Sequence, residues 1–284
     1  MKHILSYVEL ARPLNGVIAF ISAWLGGIFA VQAAFTNIID IRLVLVSIAS
    51  LLLLSAGNAI NDYCDYSTDR INKPNRPIPS GRISRNQALI FSMILMSIGI
   101  LIGLYINIYA FYIAIIVTLL LLLYAKWFKR TPFLGNIIVS CLTAITFISG
   151  GVAIGTINGT IIPAIFAFLF TTAREIVKDI EDIEGDHKTQ VRTLATIDTR
   201  LAVYTALGFM GFVIIFSPIP YILGYYSWHY LLLIIFSVDI ILLYLGLRLW
   251  KDSSKNNCAL IQRCMKWDIF FGLGAIYFGS ILKI

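Results

Sequence analysis

Charged residues are scarce in this chain. Of its 284 residues, 59% are hydrophobic and only 13% are charged, and the mean hydropathy is +0.86. The polar stretches are all short, which argues against a separate soluble domain. Apolar runs of about twenty residues recur from one end to the other, and each is long enough to cross a bilayer as a helix. The composition therefore predicts an all-α, polytopic membrane helical bundle.

Cysteine and histidine are also rare. The four cysteines form no C-x-x-C pair, and the three histidines are scattered along the chain. This pattern argues against a disulfide framework and against a zinc site. It also offers no Ser-His or Cys-His arrangement for nucleophilic catalysis.

Nine apolar runs have the length of membrane spans. They are residues 14–34, 43–61, 88–106, 108–126, 133–156, 160–178, 199–218, 228–249 and 267–284. With the N-terminus in the cytoplasm, twenty of the 22 Lys and Arg residues fall inside or at inner helix ends, and only Arg42 and Lys283 fall outside. The positive-inside rule therefore predicts nine transmembrane helices with a cytoplasmic N-terminus and an outer C-terminus. The first run is too long for the core of a signal peptide, so we expect a retained span.

The carboxylates are concentrated in two short polar segments. The first acidic segment, NDYCDYSTDRINKPNRPIPSGRISR at 61–85, and the second, KDIEDIEGDHKTQVR at 178–192, hold eight of the fifteen acidic residues. Spacings of three, four and seven put three carboxylates of each segment on one face of a helix. These candidate metal ligands are Asp62, Asp65 and Asp69 in the first segment and Asp179, Asp182 and Asp186 in the second.

Like charges stacked on one helix face repel one another, so we expect a cation among them. Hard oxygen ligands at this density suit Mg²⁺, which proteins usually hold with a few carboxylates and with substrate phosphates. Asn61, Asp65 and Asp69, spaced i, i+4 and i+8, form a second possible ligand face in the first segment. Two such clusters facing each other would hold a metal-bound diphosphate.

Basic residues follow the aspartates within both acidic segments. Arg76 follows Asp69 by seven positions and Arg192 follows Asp186 by six, which suggests matched diphosphate clamps. Other candidates for binding a diphosphate or a phosphate on the same membrane face are Arg12, Arg70, Lys126, Lys129, Arg130 and Lys178. Inner loops are also basic merely to set topology, and this plainer explanation stays open for each of these residues. Three prolines and a glycine stiffen the first loop, and a loop that only sets topology needs no such stiffness.

Two polar residues lie deeper in the apolar runs. Asn58 comes while the second span is still within the membrane, and it is either a catalytic residue or one side of an interhelical hydrogen bond. Asp239 lies near the midpoint of the eighth run. Since no basic residue lies at a matching depth, a hydrogen-bonded structural role is favoured over a catalytic role for Asp239.

The chain resembles the UbiA superfamily of intramembrane prenyltransferases. It shares with that superfamily the two acidic segments, their predicted position on the cytoplasmic side of the membrane and the nine predicted spans. The residues that carry the resemblance are NDYCDYSTD at 61–69, RPIPSG at 76–81 and KDIEDIEGD at 178–186. The resemblance covers essentially the whole chain. It implies one transmembrane prenyltransferase domain, residues 1–284, with cytoplasmic motif loops at about 62–87 and 179–198.

The resemblance also implies that the two segments bind Mg²⁺ and the diphosphate of an isoprenoid donor. Asn61, Asp65 and Asp69 match the first family motif, and Asp182 and Asp186 match the second. The segments REIVKDIEDIEGD and RPIPSGRIS most resemble archaeal members that transfer a geranylgeranyl group to the sn-2 hydroxyl of geranylgeranylglyceryl phosphate. Such an enzyme acts in the cell membrane on a lipid-like acceptor, with its active site facing the cytoplasm and with no nucleic-acid partner.

Two alternatives stay open. A prenyltransferase of this superfamily can also act on an aromatic or chlorin acceptor, as in quinone and chlorophyll synthesis. The non-enzymatic alternative is a divalent-cation transporter. Transporter sites typically lie near the bilayer midplane on broken helices, whereas the carboxylates here cluster at one membrane face, which favours an enzyme.

Overall fold

The protein is described by a computed structural model over residues 2–31 and 40–282. Its helices are α1 (Lys2–Ala11), α2 (Pro13–Val31), α3 (Ile41–Cys64), α4 (Tyr66–Asn72), α5 (Arg85–Ile106), α6 (Ile108–Lys126), α7 (Leu134–Ala153), α8 (Ile161–Lys188), α9 (Leu194–Ile197), α10 (Thr199–Phe216), α11 (Ile219–Ile222), α12 (Trp228–Ile234), α13 (Ile240–Lys251) and α14 (Lys255–Ile281). A 3₁₀ helix lies at Phe128–Arg130 and a π-helical turn at Ile235–Asp239. These residues contain no β-strand, so the predicted all-α fold is confirmed.

Within the described part of the chain, seven helical stretches are long and apolar enough to cross a membrane. They are Pro13–Val31, Ile41–Cys64, Arg85–Ile106, Ile108–Lys126, Leu134–Ala153, Thr199–Ile222 and Trp228–Lys251. The other two predicted spans, 160–178 and 267–284, fall largely within α8 and α14, which are helical but are not among these seven. Residues 32–34 of the first predicted span, and Lys283 and Ile284 of the last, lie outside the described residues.

The chain divides into two compact units. The first unit contains α1 to α6 and the C-terminal part of α7, and it includes the first acidic segment. The second unit contains the N-terminal part of α7 and α8 to α14, and it includes the second acidic segment.

Small residues bring α2 and α7 into close contact in the first unit. A Cβ atom built on Gly150 of α7 would lie 1.9 Å from the carbonyl oxygen of Ala23. A Cβ atom built on Gly26 of α2 would lie 2.1 Å from the carbonyl oxygen of Phe147. Glycine is therefore required at both positions, because the two backbones leave no room for a side chain.

Gly150→Ala is expected to lower the thermal unfolding temperature of the purified protein in detergent by about 5 °C or more. The added methyl group collides with the backbone of α2, which can move away only by opening the contact between the helices. Gly208→Ala in α10 is the matched control, because no atom lies within 4 Å of a Cβ atom built there. If the two variants unfold at the same temperature, the close approach of α2 and α7 is absent from the folded protein.

A second close contact positions the ends of three helices in the second unit. A Cβ atom built on Gly279 of α14 would lie 2.3 Å from the Cβ atom of Tyr230 in α12. Tyr230 is completely buried, and its hydroxyl group donates to the main-chain oxygen of Ser217 at 2.7 Å. Ser217 follows the last residue of α10, so this hydrogen bond fixes α10 against α12.

Candidate active site

The first acidic segment begins in α3 and continues into α4. α3 ends at Cys64, Asp65 occupies the turn with φ −85° and ψ 8°, and α4 begins at Tyr66. The expectation of one unbroken helix through this run is therefore wrong at Asp65. The interruption is local, because the Asp65 N–H still donates to the Asn61 carbonyl and the Asp69 N–H to the Asp65 carbonyl, each at 2.8 Å.

Arg76 contacts both the first and the last of the three aspartates in the first acidic segment. Its Nη1 atom donates to Asp62 Oδ1 at 3.1 Å and to Asp69 Oδ2 at 2.7 Å. Both carboxylates are almost completely buried, so each depends on a paired cation to remain charged. Burial by itself would lower the pKa of the Arg76 guanidinium, but the charges of Asp62 and Asp69 outweigh it and raise that pKa. Arg76 therefore stays charged at any pH at which the protein works.

Two further basic residues contact the same run. Arg12 Nη2 donates to Asp62 Oδ1 at 2.5 Å, and Lys129 Nζ donates to Asp65 Oδ2. Lys129 comes from the 3₁₀ helix after α6, and Arg12 lies between α1 and α2. Each carboxylate of the first run thus has a basic partner, and these partners come from three separate parts of the chain.

Asn58 forms a hydrogen bond to the main chain where α1 ends, next to the connection to α2. Its Nδ2 atom donates to the main-chain oxygen of Ala11 at 3.1 Å, and its side chain is buried. The next residue, Arg12, has φ 53°, a left-handed conformation that is uncommon for a residue with a side chain. Asn58 therefore forms an interhelical hydrogen bond, which is one of the two roles expected for it. The same contact helps to position the Arg12 guanidinium.

The loop after α4 is packed onto the first unit. Its Ile78 and Ile83 side chains are buried in a cluster with Leu10, Ala59 and Ala88. The Ile83 N–H donates to the Pro77 carbonyl at 3.0 Å, and Arg82 forms an ion pair with Glu9 at 2.5 Å. The loop that the prolines predicted to be stiff is therefore also held by apolar contacts, which fixes the position of Arg76 at its start.

The first segment offers oxygen donors of the kind that a hard cation requires. Asn61 Oδ1 is buried and has no hydrogen-bond donor, so it is available as a ligand. Asp65 and Asp69 follow at the spacing i+4 and i+8. Among the described residues, no group of three or more His, Cys, Asp or Glu side chains is arranged to hold a metal ion. The best candidate ligands for a cation at this segment are therefore the amide oxygen of Asn61 together with the carboxylate oxygens of Asp65 and Asp69.

The three aspartates of the second acidic segment lie in α8, which continues without interruption to Lys188. Asp179 Oδ2 accepts a hydrogen bond from Asn136 Nδ2 at 2.8 Å. Desolvation raises the pKa of Asp179 to about 7, against the lowering effects of this hydrogen bond and of the Lys178 charge. Asp182 and Asp186 lie further along the same helix and are partly exposed.

A buried ion-pair group lies where the second segment begins, and its pairing is an addition to the role expected of Lys178 as a phosphate ligand. Glu175 accepts from Arg174 Nη1 and from Lys178 Nζ, each at 2.8 Å. Glu175 is only 7% exposed. Lys178, a candidate phosphate ligand, is thus held by Glu175. The i, i+3 spacing of these two residues in a helix was the signal available in the sequence.

The remaining predicted phosphate ligands have other surroundings. The Arg70 guanidinium lies over the Tyr66 ring at 5.8 Å from its centroid, and the Lys126 ammonium lies over the Trp127 ring at 4.4 Å. Arg130 and Arg192 are exposed. Arg76 forms an ion pair with Asp69, whereas no ion pair between Arg192 and a carboxylate is seen among the described residues.

Comparison with known sequences identifies the family. The pattern of the UbiA prenyltransferase family matches residues 19–270. The chain belongs to this family. It is accordingly a prenyltransferase, and its several apolar helices make it a multi-pass membrane protein.

Individual members of the family match almost the full length of the chain. Digeranylgeranylglyceryl phosphate synthase of Methanosphaera stadtmanae is 37% identical over 276 residues, which cover 97% of this chain and 99% of that protein. The synthase of the same name from Methanococcus maripaludis strain C6 is 38% identical over 281 residues, which cover 99% of both chains.

Solved structures share the fold. A structure described as giving insights into digeranylgeranylglyceryl phosphate synthase in membranes matches with a TM-score of 0.78 at 36% identity, covering 99% of this chain and 100% of that one. A UbiA homolog from Archaeoglobus fulgidus bound to GPP and Mg²⁺ matches with a TM-score of 0.67 at 15% identity, covering 95% and 99%. At that identity the second match supports the fold alone.

Proposed function

We propose that this UbiA family member transfers a geranylgeranyl group from its diphosphate to the sn-2 hydroxyl of geranylgeranylglyceryl phosphate. The product carries the second ether bond of an archaeal membrane lipid. The observation that supports this acceptor is the identity of 37% and 38%, over almost the whole chain, to proteins named digeranylgeranylglyceryl phosphate synthase.

In this reaction the C–O bond between the prenyl carbon and the diphosphate breaks, and a bond forms from that carbon to the acceptor oxygen. The hydroxyl proton is released, and pyrophosphate is the leaving group. An alcohol is a poor nucleophile, but it is adequate against an allylic carbon with developing positive charge. The reaction therefore needs no strong base.

The proposed cofactor is Mg²⁺, which when bound neutralises the charge that develops on the leaving diphosphate. Its ligands would be Asn61, Asp65 and Asp69 in the first segment and Asp182 and Asp186 in the second. The Archaeoglobus fulgidus homolog that shares this fold was solved with GPP and Mg²⁺, and a divalent cation of the same kind is part of the proposal for this chain. In the first segment, the buried and unpartnered Asn61 Oδ1 supports this ligand set.

Arg76 and Lys129 supply fixed positive charge beside the proposed ligands. Arg76 is held by Asp62 and Asp69, and Lys129 contacts Asp65, so both cations are already positioned at the first segment. Preorganised charge of this kind stabilises a leaving anion without reorganising water. A guanidinium can also form two parallel hydrogen bonds to a phosphate group.

The proposed topology has nine spans in one prenyltransferase domain, with a cytoplasmic N-terminus and the active site facing the cytoplasm. The charge distribution supports it, because twenty of 22 basic residues fall on one side. The two spans beyond the seven apolar stretches are residues 160–178, largely in α8, and residues 267–284, largely in α14.

The test is an assay of purified protein in detergent with labelled geranylgeranyl diphosphate, Mg²⁺ and one of three acceptors. We expect product with geranylgeranylglyceryl phosphate and none with homogentisate or a chlorophyllide. Preferred turnover of the aromatic or chlorin acceptor would overturn the acceptor assignment. No turnover in detergent, together with divalent-cation uptake in reconstituted vesicles, would favour a transporter.

A further inference from the structure

The buried ion-pair group at the end of the sixth predicted span contains two cations and one carboxylate. Glu175 accepts from Arg174 Nη1 through Oε1 and from Lys178 Nζ through Oε2, each at 2.8 Å. Within residues 2–31 and 40–282, no ion pair joins either cation to another carboxylate. The neighbouring Asp179 carboxylate accepts from Asn136 instead. The group therefore has one more positive charge than its paired carboxylate balances.

The excess positive charge lies in a place with little water. The Arg174 side chain is only 18% exposed, and its Nε atom is buried and has no hydrogen-bond acceptor. A guanidinium keeps its proton at any working pH, so burial cannot neutralise it as it can neutralise a carboxyl group. A water molecule can accept from the Nε–H, but it brings no charge to balance the cation. These features indicate that the missing partner is an anion.

Both cations have donors left for such an anion. The Lys178 side chain is 39% exposed, and Glu175 takes one of the three N–H groups of its ammonium. A guanidinium has five N–H groups, and one of them bonds Arg174 to Glu175. A phosphate monoester carries a charge of about −1.5 to −2 and three acceptor oxygens, so it can bond to both cations at once.

The position of this group along α8 relates it to the proposed reaction. Arg174, Lys178 and Asp182 follow one another at intervals of four in an uninterrupted helix. They therefore lie along one side of α8, about 6 Å apart along its axis at each step. Asp182 is a proposed ligand of the cation that holds the donor diphosphate. A phosphate bound by Arg174 and Lys178 would thus lie one to two helical turns from Asp182, toward the predicted span.

We propose that Arg174 and Lys178 bind the phosphate of the acceptor lipid and so select a glycerol phosphate over an acceptor without phosphate. This inference rests on the proposed function, because it takes geranylgeranylglyceryl phosphate as the acceptor. The phosphate and the reacting sn-2 hydroxyl are on adjacent carbon atoms of glycerol, so fixing the phosphate also limits where the hydroxyl lies. Glu175 is a positioning residue, since it holds both cations in place before the lipid binds.

The test compares two acceptors that differ only in the phosphate, geranylgeranylglyceryl phosphate and geranylgeranylglycerol. Lys178→Gln removes one cation and leaves the Arg174–Glu175 ion pair balanced. We expect this variant to raise the KM for the phosphate-bearing acceptor by about tenfold or more. The KM for geranylgeranyl diphosphate and the kcat/KM for geranylgeranylglycerol should each change by less than about threefold.

A conservative variant and a matched control accompany Lys178→Gln. Arg174→Lys keeps a cation that can pair with Glu175 but loses the Nε–H, and we expect it to raise the acceptor KM in the same way. Lys188→Gln removes an exposed lysine at the end of the same helix and should leave both KM values within about twofold.

Two kinetic outcomes would overturn the proposal. A raised donor KM with an unchanged acceptor KM would assign the two cations to the donor diphosphate, which offers the same phosphate chemistry. An equal loss of kcat/KM with both acceptors would make the ion-pair group merely structural, because a structural role does not depend on the acceptor's phosphate.

A binding measurement separates this site from the proposed function. With a chelator and without donor, geranylgeranylglyceryl phosphate should raise the unfolding temperature more than geranylgeranylglycerol does. Lys178→Gln should remove this difference, and Lys188→Gln should retain it. The difference without any prenyl transfer would overturn the proposed function and leave the site. Prenyl transfer with no difference in the unmodified protein, or with a difference that survives Lys178→Gln, would overturn the site and leave the function.

Discussion

Asp65→Ala and Asp182→Ala are each expected to lower prenyl transfer by at least about a thousandfold at saturating Mg²⁺. Each substitution removes a proposed ligand of the cation that neutralises the leaving diphosphate. Chelation of divalent cations should have the same effect, and added Mg²⁺ should restore the rate. The measurement is the initial rate with labelled geranylgeranyl diphosphate and geranylgeranylglyceryl phosphate.

Glu184→Gln is the matched control for the second segment. Glu184 lies in the same helix between Asp182 and Asp186, but its side chain is 70% exposed and its ion pair with Lys255 is long, at 3.6 Å. We expect a rate within about twofold of the unmodified protein, as for most exposed substitutions. Near-normal turnover by Asp65→Ala or Asp182→Ala would contradict the requirement for both segments.

Arg76→Ala is expected to raise the KM for geranylgeranyl diphosphate by about ten- to hundredfold. Arg76 is fixed between Asp62 and Asp69 and lies beside the proposed cation ligands, so its loss removes a charge-assisted contact to the diphosphate. The acceptor KM should change by less than about threefold. Steady-state kinetics with each substrate varied in turn measure both constants.

Arg70→Ala tests whether binding of the donor diphosphate depends on the position of the Arg76 guanidinium or only on the number of positive charges in the segment. Arg70 belongs to the same segment, but it is exposed and lies over the Tyr66 ring rather than against a carboxylate. Its removal should change the donor KM by less than about threefold. If Arg76→Ala lowers the unfolding temperature but leaves the donor KM unchanged, Arg76 only balances the buried carboxylates and does not bind the donor.

The all-α class and the helical spacing of the carboxylates in α8 could be predicted because they depend on residues that are near each other in sequence. The length of an apolar helix follows from local hydropathy. The carboxylate spacing of the second segment follows from helix periodicity, and α8 confirms that helix. The stiff loop before α5 follows from its prolines and glycine, whose backbone restrictions are intrinsic.

Contacts between distant residues required the folded chain. Lys126, Lys129 and Arg130 look alike in sequence, but only Lys129 reaches Asp65, a residue 64 positions away. The break at Asp65 and the unpartnered Nε atom of Arg174 also carry no local signal. The sequence states which groups are available, whereas packing determines which of them are desolvated and which partners they reach. Burial makes an unpaired charge costly, so the pairing of these groups is a property of the fold and not of the spacing.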